Sequence, residues 1–247
     1  MKMVFFLFLT LAAITMAQPV HVPNASFDKG ADKPDGWTFS APKGEWLRTK
    51  DGAAIAVTGT GQDMNHWASD PILFEPNAVY RIQFDARSVN AGGGTAVTGP
   101  VFANQDIGVP PETGKHYTNV FATPAQLSDD NAWLRFGQWH VSGKVVFDNI
   151  TLSRVQPVYS RFGTLSLGEG EALRGNEYVF QAPFRAEGSN HCRALQSATT
   201  GYNSHRWVFG KGSDVVYRHE LAGRMQQSAT LEIIVNYYQG GQLRVEA

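Results

Sequence analysis

Apolar and polar residues alternate along several short segments of this chain, and such alternation is typical of half-buried β-strands. The clearest segment is 80–87, in which every second residue from Tyr80 onward is apolar and the residues between are polar. Because successive side chains of a strand point to opposite faces, this segment predicts one buried and one polar face. Segments 134–137 and 144–147 behave alike, and no long stretch repeats at helical spacing. The pattern therefore predicts an all-β chain.

The strand-like segments fall into two groups. The first group ends at Leu152, Pro157 follows, and a new series then begins. We therefore predict a β-sandwich over 18–157 and a second β-rich domain over 158–247. Later strands are predicted at 177–184, 206–209, 214–221, 229–237 and 242–245. Because the chain stops at Ala247 directly after an alternating run, we expect the second sandwich to be truncated; the alternative is that 242–247 is its last strand.

The N-terminus has the three-part layout of a secretory signal peptide. Lys2 supplies the positive start, Val4–Ile14 is apolar apart from one threonine, and small residues precede Gln18. The apolar stretch is shorter than the about 20 residues that cross a bilayer. We predict a signal peptide over 1–17, export to the periplasm or the extracellular space, and no membrane span after cleavage.

Charge and cysteine content narrow the possible partners. The formal net charge is -1 and the Lys and Arg residues are scattered, which argues against nucleic-acid binding. Cys192 is the single cysteine, so the exported chain has no internal disulfide framework. We interpret Cys192 as a small half-buried residue, with a reactive thiol as the alternative.

Three motifs of the first group resemble one known family. Residues 23–30 are Pro-Asn-Ala-Ser-Phe-Asp-Lys-Gly, and Pro-Asp-Gly-Trp follows at 34–37. The central element runs from Trp67 through Glu-Pro-Asn to Arg87, and the last is Gly-Lys-Val-Val-Phe-Asp-Asn-Ile-Thr-Leu at 143–152. In this order, over residues 19–157, they resemble the family four/nine group of carbohydrate-binding modules.

The resemblance implies a galactose-binding-like jelly roll that binds plant or microbial polysaccharide, usually attached to a glycoside hydrolase. The departure from the family pattern is that these 247 residues contain no hydrolase domain. Fold is the safer inference, because the wider superfamily includes many modules that bind no sugar. The second group is loosely similar to another galactose-binding-like domain that lacks its final strands.

The resemblance also implies a structural calcium ion. In the family, one carboxylate from the opening motif and one from the closing motif share the ion with backbone carbonyls. Asp28 and Asp148 hold those positions here, although the family often has the longer glutamate at the first. Calcium accepts such mixed oxygen ligands. The alternative is that both are solvated, turn-forming aspartates.

Carbohydrate recognition needs flat apolar surfaces for the C–H face of a sugar ring and polar groups for its hydroxyls. Alternation places polar residues on the outer face of two strands, and four aromatic residues lie on strands or loops that border such a face. Each aromatic residue has core packing as its alternative. The predicted ligand-binding residues are Trp46, Trp67, Gln83, Asp85, Arg87, Tyr117, Arg135 and Trp139.

No catalytic motif is evident. Gly163–Gly168 lacks the spacing of a nucleophile elbow, and the seven histidines are dispersed. We therefore predict a secreted, non-catalytic protein that binds polysaccharide. Two alternatives stay open: the targeting part of a larger secreted glycoside hydrolase with its catalytic domain beyond residue 247, and a structural or adhesive protein that binds no glycan.

Overall fold

The computed structural model describes residues 17–41, 44–50, 52–184 and 189–246. The predicted signal peptide lies outside these ranges except for Ala17. The described residues form strands and no helix, and so they contain no helical membrane span. The strands are β1 (Gln18–Val20), β2 (Trp37–Phe39), β3 (Gly44–Thr49), β4 (Gly52–Thr60), β5 (Met64–Ser69), β6 (Val79–Gly92), β7 (Thr95–Pro100), β8 (Ala103–Asp106), β9 (Lys115–Ala122), β10 (Leu134–Trp139), β11 (Ser142–Arg154), β12 (Ser160–Phe162), β13 (Leu165–Leu167), β14 (Glu171–Arg174), β15 (Glu177–Phe180), β16 (Leu195–Ala198), β17 (Gly201–Asn203), β18 (Arg206–Val208) and β19 (Val215–Tyr217).

Two sheets contain most of these strands. Sheet A has the order β3-β4-β11-β6-β9, and β1 pairs with the end of β11. Sheet B has the order β18-β17-β8-β7-β10-β5-β2. Nearly all neighbours in both sheets are antiparallel; β17 and β8 are parallel. The prediction of an all-β sandwich is confirmed.

Aromatic side chains fill the space between the two sheets. Phe84 of sheet A and Phe136 of sheet B meet edge to face with ring centroids 5.1 Å apart. Phe147 of sheet A lies 5.3 Å from Phe136, and Trp37 lies 6.1 Å from it. Such pairs are favourable beyond the area that they bury. The sheets are thus held by aromatic packing, in a chain whose single cysteine is unpaired.

The alternation predicted for 80–87 is present in β6. Tyr80, Ile82 and Phe84 are each 1% exposed and face sheet B. The polar residues between them, from Arg81 to Arg87, lie on the outer face of sheet A and are partly or fully exposed. Burial of one face and solvation of the other therefore follow the sequence period of two.

The strands of the second group are shorter than predicted, and they are divided among several sheets. Pairs β12–β13, β14–β15 and β16–β19 form two-stranded sheets, whereas β17 and β18 join sheet B. Within the described residues, 218–246 contain no strand and are almost entirely exposed. The strands predicted at 229–237 and 242–245 are therefore wrong. An alternating segment becomes a strand only when another strand accepts its backbone hydrogen bonds, and none lies beside it here.

Residues 189–208 pack directly on the first sandwich. Asn190 is 4% exposed, and its side chain bonds both backbone groups of Ala122, with distances of 2.8 Å to the N–H and 3.0 Å to the carbonyl. The Ser189 hydroxyl donates to the Val120 carbonyl, and the Ala125 N–H donates to the Ala198 carbonyl at 2.8 Å. Asn190 thus continues the hydrogen bonding of edge strand β9. The boundary predicted near residue 157 stays a prediction.

Cys192 lies in the same segment and is more buried than the sequence suggested. Its side chain is 2% exposed, and burial raises the pKa of the thiol to about 11. A thiol with a raised pKa is a poor nucleophile, because the thiolate is the reactive form. This environment favours the packing role of Cys192 over the reactive one.

We predict that Asn190→Ala lowers the free energy of unfolding by about 2 kcal/mol or more, because two buried backbone groups lose their partners. Asn236→Ala is the matched control: Asn236 is exposed outside any strand, and its replacement is expected to change stability by less than about 0.5 kcal/mol. Urea unfolding of both variants measures the difference. Equal stability of the two would contradict the role given to Asn190.

Candidate functional site

The sandwich has two outer faces, and the predicted site residues are divided between them. Phe84 and Phe136 point toward each other in the core. Their neighbours in sequence, Gln83 and Asp85 on β6 and Arg135 on β10, therefore lie on opposite outer faces. One ligand on one sheet cannot contact both groups.

The outer face of sheet A carries polar side chains that bond to one another. The Asp85 carboxylate contacts His116 Nδ1 at 2.8 Å and accepts a hydrogen bond from Asn149 Nδ2 at 2.7 Å. Gln83 Nε2 lies 3.2 Å from His116 Nε2 and 3.3 Å from the Thr118 hydroxyl. An open groove on this face includes Asp85, Arg87 and Asp148 among its lining residues. The outward residues of β6 and β9 include no Trp, Tyr or Phe.

The two aromatic candidates of sheet A face inward. Trp46 packs against the core, its Nε1 donates to the Phe27 carbonyl at 2.9 Å, and the Arg48 guanidinium lies 4.6 Å from its ring centroid. Tyr117 stacks on Phe84 at 5.4 Å with an interplanar angle of 11°. Both rings are partly buried against the core, which favours the core-packing alternative for them.

Trp67 belongs to the core of sheet B. Its side chain is 3% exposed, and its Nε1 donates to the Ala56 carbonyl at 3.0 Å. Phe39 packs on it at a centroid distance of 5.1 Å. The structure places Trp67 where no sugar ring can reach it, so the core-packing alternative describes this residue.

The outer face of sheet B combines aromatic and polar groups. In β10, Leu134, Phe136 and Gln138 face the core with exposures of 0%, 0% and 1%. Arg135 and Trp139 therefore point outward, with Gly137 between them. Gly137 pairs with His66 of β5, and a Cβ at Gly137 would lie 2.4 Å from the His66 Cβ. Because Gly137 has no side chain, the centre of this face forms a shallow depression between Arg135 and Trp139.

Two tryptophan rings border this face, and each stacks on a histidine ring. Trp139 is 49% exposed and stacks with one face on the His140 imidazole at 4.0 Å. At the other end of β10, Trp133 stacks on His66 with a centroid distance of 5.8 Å and an interplanar angle of 14°. Burial lowers the pKa of His66, and the charge of Arg135 lowers it further. His66 is thus neutral at pH 7, with one ring nitrogen able to donate and the other to accept.

Arg135 forms the polar centre of the face. Its register partner on β7 is Gly99, which has no side chain and a φ of +87°. The guanidinium extends past this position and donates to the Asn104 side-chain oxygen on β8. Within the described residues, Arg135 Nε is buried without a partner. Burial lowers the pKa of Arg135, which nonetheless stays charged at neutral pH. A buried polar group without a hydrogen-bond partner lowers the stability of the fold, and such groups concentrate at functional sites.

The two residues predicted to bind calcium interact electrostatically. Burial raises the pKa of Asp148, and the nearby carboxylates of Asp85 and Asp28 raise it further. A cation would relieve this repulsion, which fits the predicted use of Asp28 and Asp148 as ligands. The described residues contain no group of three or more His, Cys, Asp or Glu side chains arranged around one metal position. Other ligands would therefore come from backbone carbonyls.

In the second region, hydrogen bonds from Arg193 and Tyr178 hold the buried carboxylate of Glu171. The Glu171 side chain is 0% exposed and accepts two hydrogen bonds of 2.6 Å from Arg193. Burial alone would raise the pKa of Glu171, but the hydrogen bonds from Arg193 and Tyr178 lower it overall. A buried carboxylate paired in this way is a poor general base, because its proton affinity is low.

Four residues of sheet B's outer face were missing from the sequence-based site: His66, Asn104, Trp133 and Asn203. Trp133 lies two positions before Arg135 and therefore shares its face. His66 lies one position before Trp67 and therefore points to the face opposite that of Trp67. Both could thus be found by counting positions along the chain. Asn104 and Asn203 were not accessible to this argument, because their contact joins residues 99 positions apart.

We predict that Trp67→Ala lowers the free energy of unfolding by about 3–5 kcal/mol, since it removes a large core side chain. Trp139→Ala is the matched control and is expected to cost less than about 1 kcal/mol, because half of this side chain is exposed. Chemical denaturation measures both. Similar losses for the two variants would contradict the placement of Trp67 inside and Trp139 outside.

The chain is similar in fold to several carbohydrate-binding modules of known structure. A family 4 module shares 16% identity over 55% of this chain and 100% of its own, with a TM-score of 0.40. The xylan-binding domain of Xyn10C from Paenibacillus barcinonensis shares 14% over 58% of this chain and 100% of its own, with a TM-score of 0.39. The N-terminal cellulose-binding domain of Cellulomonas fimi β-1,4-glucanase C shares 15% over 56% and 98%, with a TM-score of 0.36. No family model matches the sequence, and no curated protein matches it either.

Proposed function

We propose that the outer face of sheet B binds carbohydrate and that the protein is an exported, non-catalytic polysaccharide-binding protein. The observation that carries the proposal is the presence on one sheet face of an exposed tryptophan and a hydrogen-bonded arginine. Trp139 is 49% exposed, and Arg135 lies on the same strand and bonds Asn104.

This combination matches the chemistry of a sugar ring. The C–H face of a pyranose is apolar, and the ring of Trp139 offers a flat apolar surface for it. The hydroxyls of the sugar are both donors and acceptors. Arg135 supplies charged donors, and the neutral His66 supplies one donor and one acceptor. The outer face of sheet A has polar groups of both kinds but lacks an outward aromatic ring on β6 and β9. Sheet B is therefore the better candidate.

The proposal gives a supporting role to three polar residues of sheet A: Gln83, Asp85 and Arg87. Asp85 is hydrogen-bonded to His116 and to Asn149. These contacts tie β6 to β9 and β11 and keep the groups beside Asp148 in position. We infer a supporting role for them near the calcium ligands and not a direct contact with glycan.

Affinity electrophoresis in gels containing xylan, glucan or galactan tests the proposal. We expect at least one polysaccharide to retard the protein, and Trp139→Ala to raise the Kd at least about tenfold, a loss of about 1.4 kcal/mol. Phe162→Ala is the matched control, because Phe162 is also aromatic and exposed but lies in β12. It is expected to migrate as the unsubstituted protein does.

The outcomes of this experiment separate the alternatives. If no polysaccharide retards a protein whose melting temperature is normal, carbohydrate binding is wrong and a structural or adhesive role replaces it. If retardation is unchanged by Trp139→Ala, sheet B is not the binding face. Sequencing the gene beyond codon 247 tests whether this region targets a linked glycoside hydrolase.

We further propose that Asp28 and Asp148 bind one structural calcium ion. Burial is the main cause of the raised pKa of Asp148, and repulsion from Asp85 and Asp28 adds to it; this repulsion supports the role, since bound cations neutralise such clusters. Calcium at 100 times its Kd would stabilise the fold by about 2.7 kcal/mol. A chelator is therefore expected to lower the melting temperature.

Asp148→Ala tests this calcium role directly. The variant is expected to melt at the lower temperature with or without chelator, whereas Asp129→Ala, which removes an exposed aspartate, is expected to keep the response of the unsubstituted protein. Differential scanning calorimetry measures the shifts. An unsubstituted protein with the same melting temperature in calcium and in chelator would rule out the ion.

A further inference from the structure

The hairpin formed by β17 and β18 belongs to the second region but extends sheet B at its β8 edge. Tyr202 pairs with Ala103 and Asn203 with Asn104 in parallel register. The Tyr202 N–H donates to the Phe102 carbonyl and the Ser204 N–H to the Asn104 carbonyl, both at 2.8 Å. The Ser204 hydroxyl accepts from the Asp106 N–H at 2.8 Å. This strand addition covers the backbone groups that β8 would otherwise leave open.

Aromatic packing determines which side of the hairpin faces outward. Tyr202 is 3% exposed and contacts Trp207 at a centroid distance of 5.3 Å. Trp207 Nε1 donates to the Tyr217 hydroxyl at 2.8 Å, so the second region holds this inner side. Asn203 and Arg206 are register partners on the other side. They therefore lie on the same outer face of sheet B as Asn104.

A row of hydrogen bonds connects the hairpin to the proposed glycan site. Arg135 donates to the Asn104 side-chain oxygen. Asn104 in turn donates from Nδ2 to the Asn203 side-chain oxygen at 2.9 Å and to Asp106 at 2.8 Å. With both donors engaged, the Asn104 amide is held with its oxygen toward Arg135. Asn203 thus helps to orient the guanidinium of Arg135, which lies three strands away in sheet B.

The hairpin also changes the size of the face. At about 4.8 Å per strand spacing, five strands span about 19 Å and seven strands about 29 Å. The seven strands of sheet B include the two of the hairpin. The added width carries hydrogen-bonding groups, since Asn203 and Arg206 are both partly exposed and Arg206 lies 3.1 Å from His205 Nε2.

We propose that the second region completes the binding face: a glycan chain that crosses sheet B extends onto Asn203 and Arg206, and Asn203 is a positioning residue for Arg135. This inference rests on the proposed function. It predicts that the ligand is an extended oligosaccharide, that long chains gain affinity from direct contact with the hairpin, and that chains of both lengths lose affinity when Asn203 no longer holds Arg135 through Asn104.

Calorimetric titration with hexasaccharides and trisaccharides of xylan, β-glucan and galactan tests this proposal on the full chain. For the sugar type that binds, we expect the hexasaccharide to bind at least about tenfold more tightly than the trisaccharide. The Asn203→Ala/Arg206→Ala double variant is expected to lose this ratio to within about twofold, because the direct contacts of the longer chain with the hairpin are removed. Asn203→Ala alone is expected to weaken the binding of both lengths by at least about threefold, because Asn104 then no longer holds Arg135 in position. Lys211→Ala, which removes an exposed charge beyond the hairpin, is the matched control and is expected to retain the full ratio.

A conservative variant separates positioning from folding. Asn203→Asp keeps the oxygen that accepts from Asn104, so it is expected to restore hexasaccharide affinity relative to Asn203→Ala, at an unchanged melting temperature. An unchanged ratio in the double variant would overturn the inference. Equal binding of both lengths by the unsubstituted protein would also overturn the inference, but it would leave the proposed function standing. If none of these sugars binds to the unsubstituted protein, the proposed function fails and the inference fails with it.

Discussion

The contact among Phe84, Phe136 and Phe147 holds the two sheets of the sandwich together. Phe136 projects from sheet B between the two rings of sheet A, at 5.1 Å from Phe84 and 5.3 Å from Phe147. With no disulfide, the described residues depend on this packing for the orientation of the sheets. It also fixes the direction of every neighbouring side chain, because a strand that buries Phe136 must point Arg135 outward.

This constraint explains why the polar and aromatic groups of the proposed site are distributed as they are. Burying Phe84 sends Asp85 to one outer face, and burying Phe136 sends Arg135 to the other. On the Asp85 face the polar groups bond to one another beside Asp148. On the Arg135 face the exposed ring of Trp139 supplies the flat apolar surface that a sugar ring needs, and this combination of groups makes that face the better binding surface.

The second region links the stability of the chain to its proposed function. Asn190 continues the edge of sheet A through the two backbone groups of Ala122, and the hairpin of Tyr202 and Asn203 continues the edge of sheet B. Strand edges are exposed templates for pairing; here the same stretch of chain bonds to the end of β9 and pairs with β8. The contact that protects β8 also aligns Asn203 with Asn104, so protection of the edge and extension of the face come from one set of hydrogen bonds.

Much of the fold follows from the sequence alone, since alternation in 80–87 and around Phe136 determines which side chains share a face. The outward direction of Asp85, Arg135 and Trp139 could be predicted in this way. Alternation does not specify which sheet a strand joins. The separation of Asp85 from Arg135, the burial of Trp67 and the contact of Asn104 with Asn203 were therefore decided by tertiary structure. Nor does it supply a partner strand, and residues 229–237 accordingly form no strand despite their pattern. The physical reason is that side-chain direction is a local property of the backbone, whereas strand pairing and ring burial depend on residues distant in sequence.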